Sequence, residues 1–311
     1  MQRFKNILYV ADGPASQRQG LDRAVALART NQARLTILDV TEPVTIGWDL
    51  EQQYGLKLTE TLSQRRLDEL EVLTEPYADA GVMLYTQVLT GTPFIEVIRA
   101  VQRNGHDLLM KTARTGEGPG AQVLGSTDMH LLRKCPCPVW IDRPQSAYPY
   151  RTLLAAVDPT DSEAGDLNRL ILDLATSLSG REAAGLHVVH AWCLRGEQIL
   201  SGTAAGVTTE QVQALLAGTE RGHRDALDRL LAPYGLKAAD PGVHLIKGEA
   251  ATVVGTKAEE IGVDLIVMGT VGRTGVPGLF IGDTAEDVLR TTRTSVLAAK
   301  PAGFASPVTL S

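Results

Sequence analysis

A chain of 311 residues, 44% hydrophobic and with a formal net charge of −6, is long enough for two domains of ordinary size, each with its own core. Its lysines and arginines are outnumbered by acids and spread along the sequence, which excludes the basic stripe that a nucleic-acid binder sets against phosphate. No apolar run reaches the roughly 18 residues of a membrane span, the N-terminal stretch breaks at Asp12 before a signal-peptide pattern can form, and three cysteines cannot frame a disulfide scaffold, so a cytoplasmic chain is expected.

The first predicted strand, residues 7–11, is uncharged and therefore buried on both faces, as in a parallel sheet. Asp12-Gly13-Pro14 turns the chain into a helix with Leu21, Ala24, Val25 and Ala28 at apolar spacing, and a second strand covers 35–40. A longer, polar helix over about 60–80 precedes strand 84–89, helix 93–103, strand 107–111, a glycine-rich stretch at 116–120, helix 127–133 and strand 139–141. Cys135-Pro-Cys137 stands just before the last of these. It is not a redox Cys-x-x-Cys motif and its nearest candidate metal partner, His130, is alone, so the two read as structural cysteines at the mouth of a buried strand. Residues 143–150, rich in proline and turn formers, are the linker.

The alternation then begins again: strand 153–157, the turn Asp158-Pro159-Thr160-Asp161-Ser162, a helix carrying Leu167, Leu170, Ile171 and Leu174, strand 186–191, a loop at 196–206 and a helix at about 209–233. On the second of these strands His187 and His190 flank two valines, a spacing that keeps them from forming one ligand pair, while His223 and His244 have no partners in sequence. Slid by 157 positions, Gly91, Gly105, Asp107, Gly125, Thr127, Leu132 and Arg133 land on Gly248, Gly262, Asp264, Gly282, Thr284, Leu289 and Arg290. The openings, 4–12 and 150–158, match at an offset of 146, which places eleven extra residues between the second copy's first strand and Gly248. A period this long is a domain duplication. Strands alternating with crossover helices predict two tandem doubly wound α/β domains, 1–145 and 146–311, each on a five-stranded parallel sheet of the flavodoxin or Rossmann kind. Ligands of such sheets gather outside the carboxyl ends of the strands, where the strand order reverses.

In the second copy, strand 264–268 runs into Gly269-Thr-Val-Gly272-Arg273-Thr-Gly275-Val-Pro-Gly278-Leu-Phe-Ile-Gly282-Asp283-Thr284, and a helix and a terminal strand follow. Glycines allow close backbone approach and positive φ, so consecutive amides can converge on an anion at the start of that helix. The spacing resembles the Gly-x2-Gly-x9-Gly-[Ser/Thr] signature of the universal stress protein family, and the duplicated chain, with HLLRKCPCPVW closing its first half, is similar to that family's tandem type. The resemblance implies a stress-response protein that binds ATP or AMP in its second half, with magnesium accompanying ATP, and that is not an enzyme beyond weak incidental hydrolysis. By the same resemblance Asp158 and the backbone at Ala191 and Met268 would hold adenine, Gly269 and Gly272 the ribose and phosphate, and Gly282, Asp283 and Thr284 the phosphates. Arg273 would reach a phosphate or stand solvated in the loop. The halves would pack as an intrachain pseudo-dimer through residues 138–142 and 295–299, short apolar strands that are a liability as free edges. A homodimer of whole chains stays open.

The first half departs from the signature, with Thr112 and Thr115 in place of Gly269 and Gly272 and only Gly125-Ser126 retained, and is expected to be a degenerate, structural copy. In the second half Asp283 replaces a small hydroxyl residue and sets a carboxylate against a phosphate. At about 4 Å such repulsion is roughly 1 to 4 kcal/mol for effective dielectrics of 80 to 20. Asp283 and Glu286 also have the spacing of a helix capping box, and Asp12 and Asp158 could be helix caps. No Ser/His/Asp or Cys/His set supplies a catalytic group. Two readings follow: a nucleotide-responsive stress protein, or an interaction scaffold or carrier of another small ligand in the same cleft.

Overall fold

The computed structural model describes residues 4–12, 18–43, 58–113, 124–160, 165–194, 196–200, 206–270 and 282–310. The first half runs β1 (Asn6–Val10), α1 (Arg18–Asn31), β2 (Arg34–Thr41), α2 (Leu58–Thr74), β3 (Met83–Thr90), α3 (Pro93–Asn104), β4 (Leu108–Thr112), α4 (Ser126–Lys134) and β5 (Val139–Asp142). The second runs β6 (Thr152–Ala156), α5 (Gly165–Glu182), β7 (Gly185–Trp192), α6 (Glu197–Leu200), α7 (Thr209–Leu231), β8 (Val243–Lys247), α8 (Ala250–Glu260), β9 (Leu265–Gly269), α9 (Asp283–Thr291) and β10 (Ser295–Ala299). The offset between copies is 151 at β2 and β7, so five of the eleven extra residues precede β7. The other six lengthen α7, which has 23 residues against 17 in α2. Both long helices stop short of their predicted ends, at Thr74 and Leu231. Pro76 and Pro233, which lack an amide hydrogen, turn the chain into short 3-10 turns at Glu75–Tyr77 and Ala232–Tyr234.

All the strands lie in one sheet of order β3-β2-β1-β4-β5-β10-β9-β6-β7-β8. Pairing is parallel except between β5 and β10, which meet antiparallel with Val139, Trp140 and Ile141 opposite Ala298, Leu297 and Val296. The last strands of the two halves therefore join as expected, and each covers the other's edge. Strand alternation sends one set of side chains, among them Ile7, Tyr9, Leu153 and Val267, to a core under α1, α2, α5 and α7, and the other, among them Leu8, Val10, Leu154 and Met268, to a core under α3, α4, α8 and α9. Both cores run through both halves.

Residues matched between the copies do matched work. Gly105 and Gly262 take left-handed φ of 63° and 62° just after α3 and α8, where a side chain would be strained. Asp107 accepts the amides of Lys5 and Asn6, and Asp264 those of Arg151 and Thr152, pinning the start of each half's first strand.

The seam is tied on both faces. On one, Asp142 accepts hydrogen bonds from Tyr150 (2.7 Å) and Ser295 (3.2 Å) and faces the buried Arg23 of α1, whose guanidinium lies 3.6 Å from the centre of the Tyr150 ring. On the other, buried cations cross over. Arg143, just past β5, donates to Thr292 O at the end of α9 (3.0 Å), and Lys300, just past β10, donates to Leu132 O and Arg133 O in the last turn of α4. Each half thus caps the negative end of the other's last helix. Among the described residues no helix is long and apolar enough to cross a membrane.

Candidate functional site

Strand order reverses between β1 and β4 in the first half and between β6 and β9 in the second, and the carboxyl ends of each pair are where sheets of this kind form a ligand cleft.

The first cleft is filled by its own side chains. Lys111, next to last in β4, extends its ammonium to Asp12 beyond β1 (3.1 Å) and to Asp128 in the first turn of α4 (2.8 Å). Lysine and Asp128 are almost wholly buried. Asp128 gives α4's positive end an internal anion, and Lys111 neutralises it. Thr112 is buried beside them, its hydroxyl 3.0 Å from Tyr9 Oη, and it fits because Gly20 faces it: a Cβ on Gly20 would lie 2.0 Å from Thr112 Oγ1. Asp12 is thus part of an ion cluster.

The second cleft keeps an acid at the place of Asp12, as Asp158, but loses the other two charges: Lys111 becomes Met268 and Asp128 becomes Ala285, both apolar and buried. Asp158 stands beyond β6, Ala191 near the end of β7, and Met268 and Gly269 end β9, so all four lie at the carboxyl end of the sheet beside the reversal. The loop after β9 returns through a hydrogen bond from Gly282 N to Thr270 O (3.0 Å), which brings Gly282, and Thr284 on α9, back to the same end of the sheet. Gly272, Arg273 and the first half's Thr115 and 116–120 stretch lie outside the described residues, as does the side chain of Asp283.

Local bonding revises several expectations. The Asp158 carboxylate accepts from Thr160 N (3.2 Å) and Thr160 Oγ1 (2.8 Å), while Asn168, from α5, bonds both its backbone amide and its carbonyl (2.9 and 2.7 Å). Asn168 thereby fixes the strand-to-turn exit on which Asp158 sits. Gly282 is the residue before α9, and Glu286 pairs across the seam with Arg133. Neither Gly269 nor Gly282 uses a positive φ; Gly282 has φ −62°, and Gly269 packs under Leu167 of α5, whose Cδ2 would lie 2.8 Å from an added Cβ and would have to shift. The contact between strand end and helix is thus closed from opposite sides in the two halves, by Thr112 on Gly20 and by Leu167 on Gly269.

The histidines do have partners. His187 Nδ1 lies 3.1 Å from His244 Nε2, and His190 Nε2 lies 2.7 Å from His223 Nδ1. Burial, Lys257 and His187 hold His244 below the usual imidazole value. His190 Nδ1 is 3.1 Å from Val157 O, and since a carbonyl only accepts, Nδ1 carries hydrogen and His223 donates to Nε2. In the first half the same place beside the cleft holds an ion pair: Arg66 on α2 binds Asp39 of β2 and donates to Ala11 O (2.8 Å). Lys111, Asp128, Asn168 and His223 are not singled out by motif. Comparing the copies position by position reveals three of them, since Lys111, Asp128 and Arg66 change to Met268, Ala285 and His223 at the offset of 157.

A family model described as the universal stress protein family matches residues 3–143 and again 149–300. The chain is similar to universal stress protein E of Escherichia coli strain K12, at 29% identity over 100% of this chain and 98% of that one. It is 26% identical to universal stress protein E of Photorhabdus laumondii over 99% of this chain and 98% of that one. A crystal structure described as a universal stress protein from Pseudomonas aeruginosa UCBPP-PA14 superposes with a TM-score of 0.75 at 26% identity, covering 96% of this chain and 94% of that one. One from Archaeoglobus fulgidus DSM 4304 shares the fold, with a TM-score of 0.63 at 19% identity over 95% and 98%.

Proposed function

Because the chain belongs to the universal stress protein family, with one family domain in each half, we propose that it is a cytoplasmic stress-response protein that binds one adenine nucleotide, ATP or AMP, in the cleft of its second half and does not turn it over. The observation that carries this reading is the exchange of Lys111 and Asp128 for Met268 and Ala285: one cleft is filled by an ion pair, and its copy presents an apolar wall at the same two positions. Met268 and Ala191 then flank a flat base, Asp158 accepts from its amino group, and Gly269, Gly272, Gly282 and Thr284 lead backbone amides toward the phosphates at the start of α9. Arg273 is the loop's cation. Magnesium would enter with ATP as Mg-ATP.

Titration calorimetry of the full chain with ATP, AMP and adenosine tests this. The expected result is one site per chain, lost when Met268→Lys and Ala285→Asp together install the first half's ion pair. Two sites, or binding indifferent to that double change, would overturn the assignment. Absence of nucleotide binding in the unmodified chain would favour a scaffold, or a carrier of a different small ligand in the same cleft.

A further inference from the structure

We propose that Cys135 and Cys137 are an oxidation site that closes a reversible disulfide on reaction with hydroperoxides, and that Lys300 of the other half positions charge to promote it. The two free thiols are buried with their sulfurs 3.5 Å apart, in hydrogen-bond contact. Cys135 ends α4, Cys137 leads into β5, and Pro136 between them fixes the backbone, so the thiols are already held together.

A purely structural reading is weakened by the other copy. At the offset of 157 the thiols become Thr292 and Thr294, and the equivalent turn closes there through a hydrogen bond from Thr294 N to Thr292 Oγ1 (3.2 Å). The turn does not need sulfur. What accompanies the thiols is the buried Lys300, whose ammonium is held by Leu132 O, Arg133 O and Thr270 Oγ1 (2.6 Å for the last) and whose charge acts on both cysteines.

The pair is chemically unequal. Burial raises the Cys135 thiol, but hydrogen bonds from the Cys137 side chain and amide, with the charge of Lys300, outweigh it and leave Cys135 below its usual value. The bond to Cys135, and burial, push Cys137 well up. One sulfur is thereby set as nucleophile and the other as the resolving thiol that keeps its proton. Cys137 retains 7% exposure, at the outer end of the pair.

In the first step the Cys135 thiolate attacks the terminal oxygen of a hydroperoxide ROOH. The S–O bond forms, the O–O bond breaks, and RO⁻ takes up the proton that Cys135 released. In the second, the Cys137 sulfur attacks the sulfenic sulfur of Cys135. The S–S bond forms, the S–O bond breaks, and hydroxide leaves with the proton of Cys137 as water. Two thiols and ROOH give a disulfide, ROH and water. A bridge between residues two apart closes a small, strained ring, which makes it readily reducible.

The test uses full-length protein with Cys193→Ser, which removes the exposed third thiol. After one equivalent of hydrogen peroxide, alkylation and trypsin, the peptide 135–151 is weighed; Arg143 precedes a proline and is not cut. The expected product has lost two hydrogens and both alkylation sites, and dithiothreitol restores them. Lys300→Met should slow bridge formation about tenfold and move the rate's pH profile upward, as loss of a cation beside a thiolate requires, while Lys300→Arg should keep most of the rate. Two alkylatable thiols after peroxide, or sulfinic acid in place of the bridge, would overturn the site, with no variant involved. An unchanged rate and pH profile in folded Lys300→Met would overturn the part given to Lys300.

Discussion

Lys111 and Asp128 act as a built-in occupant of the first cleft, and the cost of removing half of such an occupant is calculable. Lys111→Met leaves Asp128 nearly fully buried without that cation, a change expected to destabilise by roughly 3–5 kcal/mol. Adding Asp128→Ala, which reproduces the pair found in the second half, should recover most of the loss. Urea unfolding of the two variants measures it; a double variant no more stable than the single would mean that the ion pair does not substitute for apolar packing here. Asp283 poses the converse question in the second cleft. If phosphates lie at the start of α9, Asp283→Ser removes a like charge, and ATP affinity should rise about tenfold, or about 1.4 kcal/mol, with adenosine unchanged. Equal responses of ATP and adenosine, read by calorimetry, would place the phosphates elsewhere.

At the scale of elements, the ends of α4 and α9 each receive a cation from the opposite half, but the two cations titrate differently. Burial pushes Lys300 down to about 8 from 10.5, whereas Arg143, though lowered by burial, stays charged through the working range. Below about pH 8 the folded chain bears the whole cost of the buried ammonium. Between about 8 and 10.5 the unfolded chain still binds that proton and the folded chain does not, so stability rises with pH. Denaturant midpoints of the unmodified chain should therefore gain on those of Lys300→Met across this window, by up to about 3 kcal/mol at 1.36 kcal/mol per pKa unit. The difference between the unmodified chain and Arg143→Met should stay flat. A flat Lys300 difference would show that its three oxygen partners offset burial completely.

Elements are also where the sequence was most readable. Apolar period and turn chemistry are local, and β1, β4, β9 and the helices around them sit within a residue or two of expectation. The long helices were over-extended because their polar pattern continues past Pro76 and Pro233, where the backbone no longer can. The site was legible only in part. The glycine spacing points to the loop after β9, which lies outside the described residues, and Gly269 has a packing contact with Leu167 that no spacing reveals. Lys111 and Asp12 stand about a hundred positions apart, and His190 and His223 belong to a strand and a helix, so local patterns do not join them.

For the whole molecule, the seam decides whether either half is stable alone. Without its partner each half would expose β5 or β10 as an apolar edge and lose the crossed cations. Fragments 1–145 and 146–311 made together should reassemble one to one, and each alone should self-associate or precipitate. Light scattering distinguishes these outcomes from two stable monomers, which would show the seam to be dispensable.

An antiparallel pairing of two last strands is also what a symmetric homodimer would use, and in such a dimer every substitution appears twice. Here the two sides of the seam are encoded separately. One side can keep a lysine where the other has a methionine, an Asp39–Arg66 pair where the other has His190–His223, and thiols where the other has threonines. The consequence is a ceiling on stoichiometry. On the proposed assignment, with Lys111 and Asp128 paired inside the first cleft, an isolated chain binds nucleotide at one site, so its binding curve should have a Hill coefficient of one, and any response must pass between unlike neighbours.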